Sequence, residues 1–123
     1  MRLLLLVLAF VLALAAPARA QSKLTVVASF SILADMAQQV GGAAVDVRPL
    51  VGADADTHVY EPTPADARAI AAARLVIVNG LGFEGWMPRL IAAAGYKGVV
   101  VTAARAVATQ TMADDRSEEH TSE

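Results

Sequence analysis

Four short β-branched runs, separated by stretches of helical spacing, constrain this chain more than any other feature. Leu24-Thr25-Val26-Val27-Ala28-Ser29 is apolar on both faces, as a parallel strand covered on both sides is. Ile32, Leu33, Met36, Ala37 and Val40 then recur at helical spacing, and Gly41-Gly42 stops that helix. Val45 to Val51 reads as a second strand; Pro49, which cannot donate to a ladder, predicts that it lies at an edge or ends early. Leu75-Val76-Ile77-Val78 predicts a buried third strand, and Gly98-Val99-Val100-Val101-Thr102 a fourth. Between them, Pro64 to Ala73 predicts a helix with Ala67, Ile70 and Ala71 inside and Arg68 outside. Phe83 to Ala94 predicts a third helix, ended by Gly95. Strands alternating with helices in this way imply an α/β fold: a parallel four-stranded sheet built from right-handed βαβ units and flanked by helices.

The two ends read differently from this body. Met1-Arg2 is a short basic start, Leu3 to Ala16 is an almost unbroken apolar run, and Ala18-Arg19-Ala20 has the A-x-A form of a cleavage site. Residues 1–20 therefore read as a secretory signal peptide, the run being shorter than the ~20 residues of a spanning helix. The chain has no cysteine, which excludes disulfides and removes the thiol that a lipid anchor would use. The expectation is a mature chain free in a periplasm, without a lipid anchor. At the other end Arg116 to Glu123, R-S-E-E-H-T-S-E, has no apolar residue. It resembles the translation of a sequencing-library adapter and is read as non-native, an ordinary disordered polar tail being the alternative. That leaves residues 21–115 as one small α/β lobe with a single core. This stretch carries seven Lys/Arg against nine Asp/Glu with no basic patch, so nucleic acid is not an expected partner.

In open parallel sheets, ligands bind beyond the carboxyl ends of the strands. Here that edge comprises Ser29-Phe30-Ser31, the loop after the second strand, Asn79 to Glu84, and the segment after Thr102. The second of these, D-A-D-T-H-V-Y-E-P-T-P-A-D from Asp54 to Asp66, presents His58, one of two histidines. It closes on a helix start: Thr63 can cap, Pro64 suits the first helical position, and Asp66 comes three residues after the cap. From residue type alone His58 can be a metal ligand, a general base or a surface histidine. With no thiolate and a single imidazole, most donors of a tight site would have to come from elsewhere. Asp56, Tyr60 and Glu61 flank it and are candidates for groups behind a first ligand, as are Asn79, Glu84 and Trp86 at the neighbouring loop. Asn79-Gly80-Leu81-Gly82-Phe83-Glu84 is a weak match to a phosphate loop, its third glycine falling at Gly85. It reads more simply as a tight turn, with Glu84 near a helix N-terminus and the Trp86 indole free to donate. No G-x-S-x-G elbow accompanies Ser29 or Ser31.

Three motifs together carry a resemblance: V-A-S-F-S-I-L-A-D-M (Val27 to Met36), D-T-H-V-Y-E-P-T-P-A-D (Asp56 to Asp66) and V-N-G-L-G-F-E-G-W-M (Val78 to Met87). In order and spacing, from Lys23 to about Thr102, the chain resembles the zinc- or manganese-binding substrate-binding proteins of bacterial metal ABC importers. The resemblance implies the N-terminal lobe of a two-lobed receptor, in which His58 is the first metal ligand. The second ligand lies beyond the fourth strand and the others belong to the C-terminal lobe, at positions this chain lacks. It further implies a non-enzymic monomer that passes a divalent ion, zinc ahead of manganese, to an inner-membrane ABC permease. An incomplete site of this kind is expected to bind metal poorly. Two alternatives belong to other classes: a small metallohydrolase using His58 with Asp56 or Glu61 around a bound water, and a metal-binding surface adhesin.

Overall fold

The sheet is built outward from the first strand of the chain. In a computed structural model that describes residues 22–110, β1 (Leu24–Phe30) pairs in parallel with β2 (Val45–Val51) on one side and β3 (Leu75–Val78) on the other. β4 (Val99–Thr102) adds to the outer side of β3, giving the order β2-β1-β3-β4. The register sets Val26 opposite both Val47 and Leu75, and Leu75 opposite Val99. The readings of residues 1–20 as a leader and 116–123 as a foreign tail lie outside the described residues.

Successive side chains of a strand point to opposite faces, and β1 is apolar on both. Val27, with Val51 and Val76, faces a core built with Ile70 of α2 (Pro64–Ala72), with Met87 and Leu90 of α3 (Met87–Ala93), and with Trp86. Ala28 faces the other way, with Val47 and Ile77, onto Leu33 and Ala34 of α1 (Ser31–Gly41). Helices thus cover both faces of the central strand, which is why it reads as a continuous apolar run. Pro49 sits in an edge strand, and β2 nevertheless continues to Val51. No helix among the described residues is long and apolar enough to cross a membrane.

Three helical expectations change. α1 turns Leu33 and Ala34 inward and leaves Ile32, Met36 and Val40 in solvent, Val40 at 91 % exposure. It packs mainly over β1 and β2, with Ile77 of β3 against Leu33 and Ala34, and the sheet covers these two and not the rest of the apolar stripe. On α2, Ala71 is exposed while Asp66, Ile70 and the following Ala73 are buried. α3 starts at Met87 rather than Phe83, because Gly80, Leu81 and Gly82 all take positive φ and residues 81–86 remain a turn. At Gly80, with φ 86°, an added Cβ would also collide with the Thr102 methyl group, so glycine is required there on two counts.

Candidate metal centre

Because every pairing is parallel, all four strands end at one edge. The His58 loop leaves β2 there and is fixed on both sides of the histidine. Before it, the Trp86 indole N–H donates to the Thr57 carbonyl at 2.7 Å in a buried setting, and the His58 backbone N–H donates to Asp56 Oδ1 at 2.8 Å. The latter is an Asx turn, in which a carboxylate mimics a backbone acceptor. After it, the Tyr60 ring packs on Trp86 with centroids 5.1 Å apart, and the Tyr60 hydroxyl donates to Asp66 Oδ2 at 2.9 Å.

Asp66, 4 % exposed, gathers the loop exit. Its Oδ2 accepts from the Thr63 backbone N–H and from the Thr63 hydroxyl, each at 2.8 Å. Its own N–H donates to Thr63 Oγ1 at 3.4 Å, which completes a capping box. Burial works against the charged carboxyl, but the bonds from Thr63 and Tyr60, with Arg48 4.0 Å away, hold it below the usual carboxylate range. Burial, and then the bond to Asp66, pushes the Tyr60 hydroxyl up.

Between these anchors His58 is exposed, its imidazole edge-on to the Phe83 ring with centroids 4.7 Å apart and planes at 68°. The neighbouring loop is held by Glu84, 5 % exposed. The Ser29 hydroxyl and the Asn79 N–H (2.6 Å) donate to Glu84 Oε1, and the Gly80 N–H donates to Oε2 at 3.1 Å. Glu84 thus folds back onto β1 and the end of β3 instead of facing the first turn of α3, contrary to the helix-terminus expectation. The Asn79 amide donates to the Gly80 carbonyl at 3.1 Å.

The structure therefore brings Tyr60, Trp86, Asn79 and Glu84 into the two loops that flank His58. The Asp56 carboxylate is engaged by backbone, and exposed Glu61 joins no part of this network. Phe83 and Thr57 are parts of the assembly that the residue pattern did not assign to it, and Asp66, expected as part of the helix cap, also holds Tyr60. Among the described residues no group of three or more His, Cys, Asp or Glu side chains could hold a metal ion. What the edge offers is one imidazole, able to give one nitrogen to a cation, where a tight zinc site takes about four donors. Two open grooves border these loops without including His58: one of about 370 Å³ between α2 and α3, lined by Thr63 and Trp86, and one of about 460 Å³ that runs from Gly80 and Glu84 along Met87, Ile91 and Val100.

Comparison with known proteins places this edge in context. Residues 26–123 match the family described as zinc-uptake complex component A, periplasmic (ZnuA). The chain is 41 % identical over 68 residues to the manganese-binding lipoprotein MntA of Halalkalibacterium halodurans, covering 55 % of this chain and 23 % of that protein. Its fold superimposes on the Mn-bound periplasmic metal-binding protein of Candidatus Liberibacter asiaticus with a TM-score of 0.67 and 34 % identity, over 78 % of this chain and 36 % of that one. The Zn(II)-bound AdcA of Streptococcus pneumoniae gives a TM-score of 0.61 and 27 % identity, over 68 % and 18 % of the respective chains. The chain thus spans about a quarter of the length of the curated relatives it matches. The expectation of a protein without a lipid anchor is corrected by those relatives, which are lipoproteins. Absence of cysteine from so short a span says nothing about anchoring of the whole. An α/β edge that presents an exposed imidazole from an anchored loop, in a chain whose family match runs over most of its length, leads to one assignment: the chain belongs to the ZnuA family of zinc-uptake complex component A proteins.

Proposed function

We propose that this chain contributes His58 as the first ligand of a substrate-binding protein that captures a divalent transition ion and delivers it to an ABC permease. The observation that carries the reading is the exposed imidazole of His58 at the carboxyl edge of the sheet, in a loop anchored through Thr57, Tyr60 and Asp66. Capture without chemistry needs a donor held in place and no activated water, and the loop anchors the backbone that carries His58. The metal is cargo. Imidazole serves both zinc and manganese, and the carboxylate share among the remaining donors sets the preference; the relatives include proteins named for each ion. The metallohydrolase alternative gains no support, since the Asp56 carboxylate accepts from backbone and Glu61 is exposed.

The test is a zinc titration of the chain followed by NMR of the histidine ring protons. Weak binding that perturbs the His58 ring and is abolished by His58→Ala is expected. Unperturbed His58 resonances at saturating zinc, or a sub-micromolar site on this chain alone, would overturn the reading. In the accompanying division, a leader in residues 1–20, a lobe in 21–115 and a foreign tail in 116–123, the tail is tested by reading genomic DNA past the Asp115 codon. Codons matching Arg116 to Glu123 there would reject the foreign tail.

A further inference from the structure

The 79–86 loop has a feature that metal capture by His58 does not by itself explain. It adopts three consecutive left-handed residues, Gly80 (φ 86°), Leu81 (φ 57°) and Gly82 (φ 75°). Leu81 is the one described residue other than glycine with positive φ, in a conformation that side chains disfavour and that persists only where its surroundings impose it. What imposes it is the carboxylate of Glu84. Both of its oxygens are engaged, by the Ser29 hydroxyl from the end of β1 and by the Asn79 and Gly80 amides from the end of β3. The Phe83 N–H donates to the Gly80 carbonyl at 3.2 Å, and the Ala104 N–H to the Asn79 carbonyl at 3.0 Å. A buried carboxylate thus stitches two adjacent strand ends together through a strained turn.

The residue that this turn delivers is Phe83. Its ring lies between two others, Phe30 at 5.1 Å and 49° and His58 at 4.7 Å and 68°. Phe30 ends β1, so the row Phe30–Phe83–His58 runs from the rigid central strand to the exposed imidazole. The backbone of His58 is fixed by its own loop, but no hydrogen bond to its ring is formed among the described residues. An exposed histidine with a fixed backbone still turns about its side-chain bonds, and an aromatic face at edge-on distance restricts that turning.

We propose that Phe83, set in place by the Glu84 clamp, is the positioning residue for the His58 ring. Clamp and turn hold the phenyl group, and the phenyl group limits the imidazole to one orientation. Preorientation of a donor raises metal affinity by removing the ordering that binding would otherwise require. The consequence for metal rests on the reading of His58 as a ligand; the packing of the two rings does not.

The experiment keeps the two apart. Histidine ring proton shifts are recorded on the metal-free chain and on Phe83→Leu, Phe83→Tyr and Glu84→Gln, and each protein is then titrated with zinc. In the parent, the His58 ring protons are displaced from free-histidine positions by the Phe83 ring current. Phe83→Leu and Glu84→Gln abolish this displacement and weaken zinc binding about 10-fold, as loss of groups behind a ligand does. Phe83→Tyr restores both, with far-UV circular dichroism unchanged throughout. His58 ring protons at free-histidine positions in the parent overturn the proposal even if the variants fail to fold, as does an unchanged displacement in a folded Phe83→Leu. A displacement that behaves as expected, with zinc leaving His58 untouched in every protein, upholds the positioning role and removes the ligand reading instead.

Discussion

Asp66 does more in the His58 loop than any other carboxylate, closing the helix cap and holding Tyr60 with one oxygen. Asp66→Ala leaves Thr63 and Tyr60 without their acceptor and removes half of a capping box. A loss of about 1–2 kcal/mol is expected in denaturant unfolding. The same carboxyl makes stability acid-labile. Its folded pKa lies below the ordinary 3.8, so its contribution is complete above that value and is lost as pH falls through the lower folded one. Asp66→Asn should therefore flatten the stability profile below about pH 4, measured by thermal unfolding across pH. Gly80 gives a second prediction. Gly80→Ala forces a side chain into positive φ and against Thr102, at a cost of about 2–4 kcal/mol. Leu81→Gly, which relieves the same backbone conformation, changes stability by less than about 1 kcal/mol. Thr63, Pro64 and Asp66 were legible in the sequence because a cap is a local pattern of fixed spacing. The Ser29–Glu84 and Trp86–Thr57 contacts, 55 and 29 residues apart, were not, since they depend on which strands become neighbours.

At the scale of elements, β1 dominates because helices cover it on both faces, whereas the outer strands differ from one another. Edge strand β2 carries Asp46, Arg48 and Pro49, which discourage pairing with another chain. Edge strand β4 is Val99-Val100-Val101-Thr102, with Val99 60 % exposed, and has no such protection. Val99→Lys is expected to reduce concentration-dependent association in sedimentation velocity while moving the unfolding midpoint little. On α1, Met36→Lys should fall within about 0.5 kcal/mol of the parent, whereas Ile70→Ala on α2 costs about 2–5 kcal/mol, because Ile70 is fully buried. The order of strands and helices could be read from alternating β-branched and helical-period runs. The inward face of α1 could not, because apolar spacing says that a stripe exists and not how much sheet is available to cover it. The start of α3 was not legible for a related reason: Glu84 suits a helix terminus, but the part-buried backbone amides of Asn79 and Gly80 engage its carboxylate instead.

Taken whole, the molecule is a sheet that presents one exposed imidazole at its carboxyl edge, with no metal-holding group of three or more His, Cys, Asp or Glu among the described residues. Zinc should therefore stabilise this chain only by mass action on a weak site, by about 0.4 kcal/mol when its free concentration equals the dissociation constant. Stabilisation of that size already at sub-micromolar free zinc would mean donors beyond His58. Trp86 offers a way to watch this edge that its packing role does not suggest. It is the single tryptophan of the chain, and its indole donates to the carbonyl immediately before His58 while its ring lies against Tyr60. Intrinsic emission excited at the red edge of protein absorbance therefore comes from one location, adjoining the candidate ligand. A shift in its wavelength would report opening of the His58 loop without a label, and would do so before the sheet itself comes apart.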